Sequence, residues 1–225
     1  MNNLSIDKRE VLRYLGYRDQ DIDSRINLLI DEGIDEIRVL VKPRYIYKLF
    51  DIDRDNEKIY LEQCTLELEG KGIARHLKNA QSCILMAVTL GNDIDTKIRY
   101  YETIDMTKAL IMDACATAAV EEISDNLCHK IEKKLRHQGK KLTYRYSPGY
   151  EDLSLDIQRE FISVLRADRA IGLNVSSHSI LIPRKSITAI AGVIDKSQFT
   201  RQRDCLNCSK FSHCEFRKEC DICGR

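Results

Sequence analysis

The sequence carries almost no net charge: 36 Lys and Arg stand against 35 Asp and Glu, leaving +1 at neutral pH. A one-signed surface of the kind that holds nucleic acid or an anionic membrane is therefore not expected. Local basic clusters such as Lys133, Lys134 and Arg136 read as solvated helix ends. No apolar run approaches the roughly 18 to 20 residues of a membrane span, and the N-terminal residues lack the pattern of a secretory signal, so a cytoplasmic protein is expected. Also missing is any Ser-His-Asp, Cys-His or paired-carboxylate grouping. What remains is an apolar share of 43% over 225 residues, enough for one ordinary domain with a real core and a small appendage.

The nine cysteines are unevenly placed. Cys64, Cys83, Cys115 and Cys128 are scattered among apolar residues and read as core thiols. The other five, Cys205, Cys208, Cys214, Cys220 and Cys223, crowd the C-terminus as two C-x-x-C pairs separated by eleven residues, with Cys214 between them. In a cytosolic chain such spacing reads as metal binding rather than as a disulfide framework. Four thiolates suit a tetrahedral zinc, which leaves Cys214 unexplained; an iron–sulfur cluster takes the same ligands. Both stay open.

Residues 6 to 15 read as a short helix begun by Ser5 and ended by Gly16, and a longer helix follows from Ile22 to Val41, stopped by Pro43. Tyr45 to Phe50 and Ile59 to Leu68 read as extended segments around the polar turn Asp53 to Glu57. Gly70 to Lys78 reads as a short helix, with His76 a packed or hydrogen-bonding side chain. Ser82 to Leu90 is apolar on both faces and reads as a buried strand. From Asp105 to His137 the pattern predicts a helix roughly 45 Å long, with Leu110, Val120, Ile123, Leu127, Ile131 and Leu135 on one stripe. Its middle, Ala114 to Ala119, is made of small side chains that let another backbone or a ligand come close. Leu155 to Ala167 reads as a helix with Asp152 and Ser154 as caps, and Ile171 to Val175 and Lys185 to Ile194 as strands on either side of Pro183. The mixture predicts an α+β fold, a mainly antiparallel sheet with long helices. Residues 1–69 read as a lead-in, 70–197 as the core, and 198–225 as the cysteine-rich tail.

Arg145-Tyr146-Ser147-Pro148-Gly149-Tyr150 holds the densest chemistry in the chain. Pro148 and Gly149 favour a tight turn, and the Arg145 fork suits a carboxylate or phosphate. Arg-x-x-x-Gly-Tyr resembles the S-adenosylmethionine signature of the activation, or reactivation, domain of vitamin B12 (cobalamin)-dependent methionine synthase. A second block, from Arg169-Ala-Ile-Gly-Leu-Asn-Val-Ser-Ser through Pro183-Arg-Lys-Ser-Ile-Thr to Ala189-Ile190, is similar to a later run of the same family. The similarity covers about residues 70 to 195, and the chain resembles a free-standing form with a cysteine-rich tail.

The resemblance implies that Arg145 takes the ligand's α-carboxylate and Glu121, on the long helix, its ammonium, with Glu122 the neighbour to distinguish from it. Tyr150 and Tyr146 would line the ribose or adenine, and backbone of Ser147, Pro148 and Gly149, with that of Ala189 to Ala191, would complete the site. It implies a methyltransferase component acting with a partner: cob(II)alamin on a separate cobalamin-bearing methionine synthase or related corrinoid methyltransferase is reduced, with flavodoxin or ferredoxin as candidate donors, and then takes the methyl group of S-adenosylmethionine. No protein base is needed, because the reduced cobalamin is itself the nucleophile. Two features depart from the family pattern: Ala191 stands where larger members carry an aromatic residue, and no residue matches their N-terminal aspartate. The alternative is an iron–sulfur or zinc protein that carries electrons to, or binds, a corrinoid protein without its own S-adenosylmethionine site. Elemental analysis tests the tail: the purified chain is expected to hold iron or zinc, and a Cys205→Ser, Cys208→Ser double variant to lose it.

Overall fold

A computed structural model describes residues 4–18 and 20–198. Its frame is a six-stranded sheet, antiparallel throughout. Two helices precede it, α1 (Lys8–Tyr14) and α2 (Ser24–Leu40). Then come β1 (Arg44–Asp55), β2 (Lys58–Leu61), β3 (Glu67–Glu69), α3 (Lys71–His76) and β4 (Ser82–Thr89). Helices α4 (Asn92–Ile104) and α5 (Met106–Leu135) lead to β5 (Lys140–Leu142). A 3-10 turn at Leu155–Ile157 opens into α6 (Gln158–Leu165) and α7 (Ala167–Ile171), followed by the small hairpin β6 (Asn174–Val175) and β7 (Leu181–Ile182), and finally β8 (Ser186–Asp195). The fold is α+β.

β4 lies near the middle of the sheet and every one of its eight residues is buried. Strand side chains alternate between faces, so β4 feeds two cores at once. Ile84, Met86 and Val88 join the core under α1, α2, α4 and α5. Cys83, Leu85 and Ala87 join the other, under α3, α6 and α7. The result is a sheet covered by helices on both faces. The segment expected to be a lead-in is part of this frame, since β1 pairs with β4 from Arg44–Thr89 to Asp51–Ser82.

The small-residue stretch of α5 receives a backbone. At Gly33 of α2 an added Cβ would lie 3.1 Å from Ile111 Cγ2 and 3.3 Å from Cys115 Sγ, so the missing side chain on α2 is what lets the two helices cross this closely, and Cys115 is the one small residue of the stretch at the contact. Leu110 does not lie on the inward stripe; it is 59% exposed, and Ile111 and Met112 are buried in its place. Ten residues at about 100° each put Leu110 well out of phase with Val120. No expectation covered α4, whose apolar pattern is sparse: only Ile94 and Ile98 are buried among its apolar side chains. The first helix is capped by Asp7 rather than Ser5. Cys83 and Cys115 are buried, and burial pushes both thiols up to about 12. Among the described residues no helix is long and apolar enough to cross a membrane.

Of the two expected caps, Ser154 does cap the 3-10 turn at Leu155. Asp152 instead reaches across to α3, accepting from the N–H of Lys71 at 2.7 Å and of Gly72 at 3.1 Å. It ties the segment after the motif turn to the start of α3, and a Cβ at Gly72 would collide with Tyr146 and Glu151 there. Desolvation opposes the Asp152 charge, but the two amides outweigh it and hold the carboxyl below its ordinary value of 3.8. Its contribution is therefore present above that value and fades as pH falls through the lowered one. Asp152→Ala is expected to cost about 1 kcal/mol at pH 7, as a lost helix cap does, and much less in acid, measured by urea unfolding at the two pH values.

Candidate functional site

β5 is an edge strand, and beyond it the chain stays against β8 through only a few bonds. Thr143 N–H donates to Gly192 O, and Tyr146 and Ile190 exchange both backbone bonds, each of the three at 2.8 Å. This ladder fixes the two residues between Thr143 and Tyr146. Tyr146 turns into the core, 2% exposed, its ring 5.1 Å from that of His76 and 5.7 Å from that of Tyr150. Its neighbour Arg145 reaches the other way, to α5.

There the Arg145 guanidinium meets two carboxylates one helical turn apart. Nη2 donates to Glu121 Oε2 at 2.7 Å and to Asp125 Oδ1 at 2.8 Å. The Arg145 side chain is 10% exposed, against 39% for Glu121 and 54% for Asp125. Burial works against the guanidinium charge, and Glu121 followed by Asp125 outweighs it, holding Arg145 above its ordinary range. The next residue along this stretch of α5, Cys128, is desolvated, and although Arg145 opposes the effect its thiol is pushed up to about 11. Further toward the N-terminus on the same face, Lys185 of the β7–β8 connection pairs with Asp113 at 2.8 Å and donates to Thr117 at 2.9 Å. Positions 113, 117, 121 and 125 are spaced by four and so share one side of the helix. Two cations from the sheet side thus close on one polar stripe.

The motif turn follows. Tyr150 N–H donates to Ser147 O at 3.0 Å, with Pro148 and Gly149 between them and Gly149 at φ +88°. A Pro followed by a residue of positive φ is what a type II turn requires. The turn, Arg145 and Glu121 border an open cleft of about 170 Å³, whose far wall is Gln158, Leu181, Ser186, Ile187 and Thr188. Five of the expected site residues are brought together there: Arg145, Glu121, Ser147, Pro148 and Tyr150. Gly149 shapes the turn, and Tyr146 packs behind it. Glu122 hydrogen-bonds Asn126 instead, at 3.0 Å.

On β8 the wall is Ser186 to Thr188, one step before the Ala189 to Ala191 backbone expected. Ala191 is fully buried on the α5 face. Gln158 and Thr188 had no place in the sequence reading. Both are buried, and Thr188 Oγ1 donates to Gln158 Oε1 at 2.8 Å. A glutamine in the first turn of a helix is an unremarkable residue in sequence; only the packing of α6 on β8 makes it part of a wall. The cysteine tail, Cys205 to Cys223, lies outside the described residues, and among those described no three His, Cys, Asp or Glu side chains group as a metal site.

Neither a protein-family model nor a curated protein matches the sequence. Solved structures are similar to it in fold. A crystal structure of the MetH reactivation domain bound to AdoHcy is similar over 78% of this chain with a TM-score of 0.60, at 14% sequence identity. The fold is that of the MetH reactivation domain. This chain spans 66% of the length of that one, just under two thirds.

The turn's geometry carries its own test. An added Cβ at Gly149 would lie 3.0 Å from Leu155 Cδ2, in a left-handed conformation that non-glycine residues resist. Gly149→Ala is expected to destabilise the chain by about 1–2 kcal/mol, read as a lower urea midpoint at unchanged slope.

Proposed function

We propose that the protein binds S-adenosylmethionine in the cleft beside Arg145 and presents its methyl group to a reduced cobalamin carried by a separate methionine synthase or related corrinoid protein. The observation that carries this reading is the pairing of Arg145 with Glu121 on the wall of an open cleft, in a fold whose solved neighbour is bound to AdoHcy. An α-amino acid brings one carboxylate and one ammonium. The carboxylate displaces Glu121 from the guanidinium fork, and the freed Glu121 accepts the ammonium. Ion pairs are exchanged rather than lost, so neither protein charge is left uncompensated.

Charge adds to the argument. Arg145 with Glu121 and Asp125 sums to one negative charge, and S-adenosylmethionine, with its sulfonium, has one positive charge. A ligand of that size exceeds a cleft of about 170 Å³, since pockets that enclose such molecules hold about 300 Å³ or more. The amino-acid end sits within, and the rest lies toward the rim at Tyr150 and Leu181, accessible to a docking partner. Thr188 and Gln158 offer the buried wall a hydrogen-bonding pair for the ligand's polar atoms. The cobalamin supplies the nucleophile once reduced; this chain's residues bind and orient.

A second reading has one observation in its favour: Arg145 already holds two carboxylates. In it the pair is structural, and the work lies in the metal-binding tail. Anaerobic calorimetric titration with S-adenosylmethionine separates the two. Saturable binding is expected, weakened about tenfold to a hundredfold in Arg145→Ala, as loss of a charge-assisted hydrogen bond implies. Methyl transfer to a cob(II)alamin enzyme supplied with reductant is expected to fall with it. No binding by the wild type and no transfer with the partner present would leave the second reading standing.

A further inference from the structure

β1 is paired along one side and only partly along the other. Arg44 to Asp51 pair with β4, whereas only Ile52 to Asp55 pair with β2. The direction of the neighbouring bonds identifies the groups left over. Ile52 N–H donates toward β4, to Gln81 O at 3.2 Å, while Asp51 O accepts on the β2 side, from Glu62 N–H at 2.9 Å. In an antiparallel strand successive residues present their backbone groups to opposite sides. Even-numbered residues of β1 therefore face β4, and the N–H and C=O groups of Tyr45, Tyr47 and Leu49 point out of the sheet. No described residue pairs with them. Tyr45 and Leu49 are exposed as well. An open row of this length is a template for a further strand.

The surroundings say what kind of strand. On the α5 face, Lys130 Nζ stands 5.7 Å from the centre of the Tyr45 ring, and Lys134 Nζ the same distance from that of Tyr47, donating to its hydroxyl at 3.0 Å. On the opposite face Ile46 and Phe50 belong to the second core, and Lys48 is held by Val164 O at 2.6 Å. A strand laid along this edge meets two ammonium groups on one face and, on the other, the apolar Ile46 and Phe50 with the Lys48 ammonium between them already held by Val164 O.

We propose that the Tyr45–Leu49 edge takes an extended segment of a partner protein in which acidic and apolar side chains alternate, added as one more strand beside β1. A second copy of this chain is a poor occupant. Antiparallel pairing about Tyr47 would set Lys134 against its own equivalent, and like charges placed opposite one another destabilise a strand pair. This inference does not depend on what the cleft binds.

Amide hydrogen exchange on the full chain, followed residue by residue by NMR, tests it. In the free protein the amides of Tyr45, Tyr47 and Leu49 are expected to exchange fast, and those of Ile46, Lys48 and Phe50, bonded to β4, slowly. A blocked peptide alternating Glu and Val over about eight residues is expected to protect the first three. It should bind at least about tenfold more tightly than its Lys and Val counterpart. A Lys130→Glu, Lys134→Glu double variant should lose that preference while keeping the slow amides slow. Odd-numbered amides already protected in the free protein, whether by a second copy or by another part of the chain, would overturn the proposal. So would equal binding of the two peptides, or the absence of protection by the acidic one.

Discussion

The contact on which the candidate site depends is the one between Arg145 and α5. Arg145 stands beyond the last strand of the sheet's edge, where only the Thr143 and Tyr146 bonds to β8 hold the backbone. Glu121 and Asp125 give its side chain a fixed place despite burial that disfavours a charge. A nearly buried guanidinium without those partners would have to leave its position or draw in water. With them, the turn Ser147–Tyr150 has a fixed starting point and the cleft has a wall. Lys185 does the same for β8 on the same helical stripe, through Asp113 and Thr117.

This arrangement gives α5 two distinct sides. Toward α2 it carries Ile111, Met112 and Cys115, which close on Gly33 where α2 has no side chain, and so is positioned by van der Waals contact. Toward the cleft it carries charge. A long helix fixed on one side by packing presents its charged residues to the cleft with little freedom. The core and the cleft thus share one element: Cys115, at the crossing with α2, lies less than two turns along α5 from Glu121.

Much of this was legible in the sequence where a single residue type has a single physical use. β4, apolar on both faces, could only be a strand buried on both sides. Gly149 after Pro148 could make the turn, and Arg145 and Glu121, separated by 24 positions, do meet. What could not be read depends on faces that form only in three dimensions. Tyr146 and Arg145 are neighbours in sequence, yet one packs against His76 and the other against α5. The Gln158–Thr188 pair joins a helix start to a strand, and neither residue has a local signal of that role. α4 was invisible because two buried apolar side chains do not make a period. Leu110 is apolar but out of phase with the buried stripe, and residue type alone does not carry that phase.

The strands at the centre of the sheet come from distant parts of the chain: β1 from Arg44–Asp55, β4 from Ser82–Thr89, β8 from Ser186–Asp195. During synthesis the first two can pair early, and the helices of one face can settle on them. The surface β8 occupies stays open until its residues emerge, more than ninety positions after β4 ends. Pairings of such long range are slow to form. Ser186, Ile187 and Thr188 are among the last residues to join the sheet, and they are one wall of the cleft. The cleft is therefore completed late in the life of the chain, and a nascent protein interrupted before β8 has the motif turn but not the strand wall it faces.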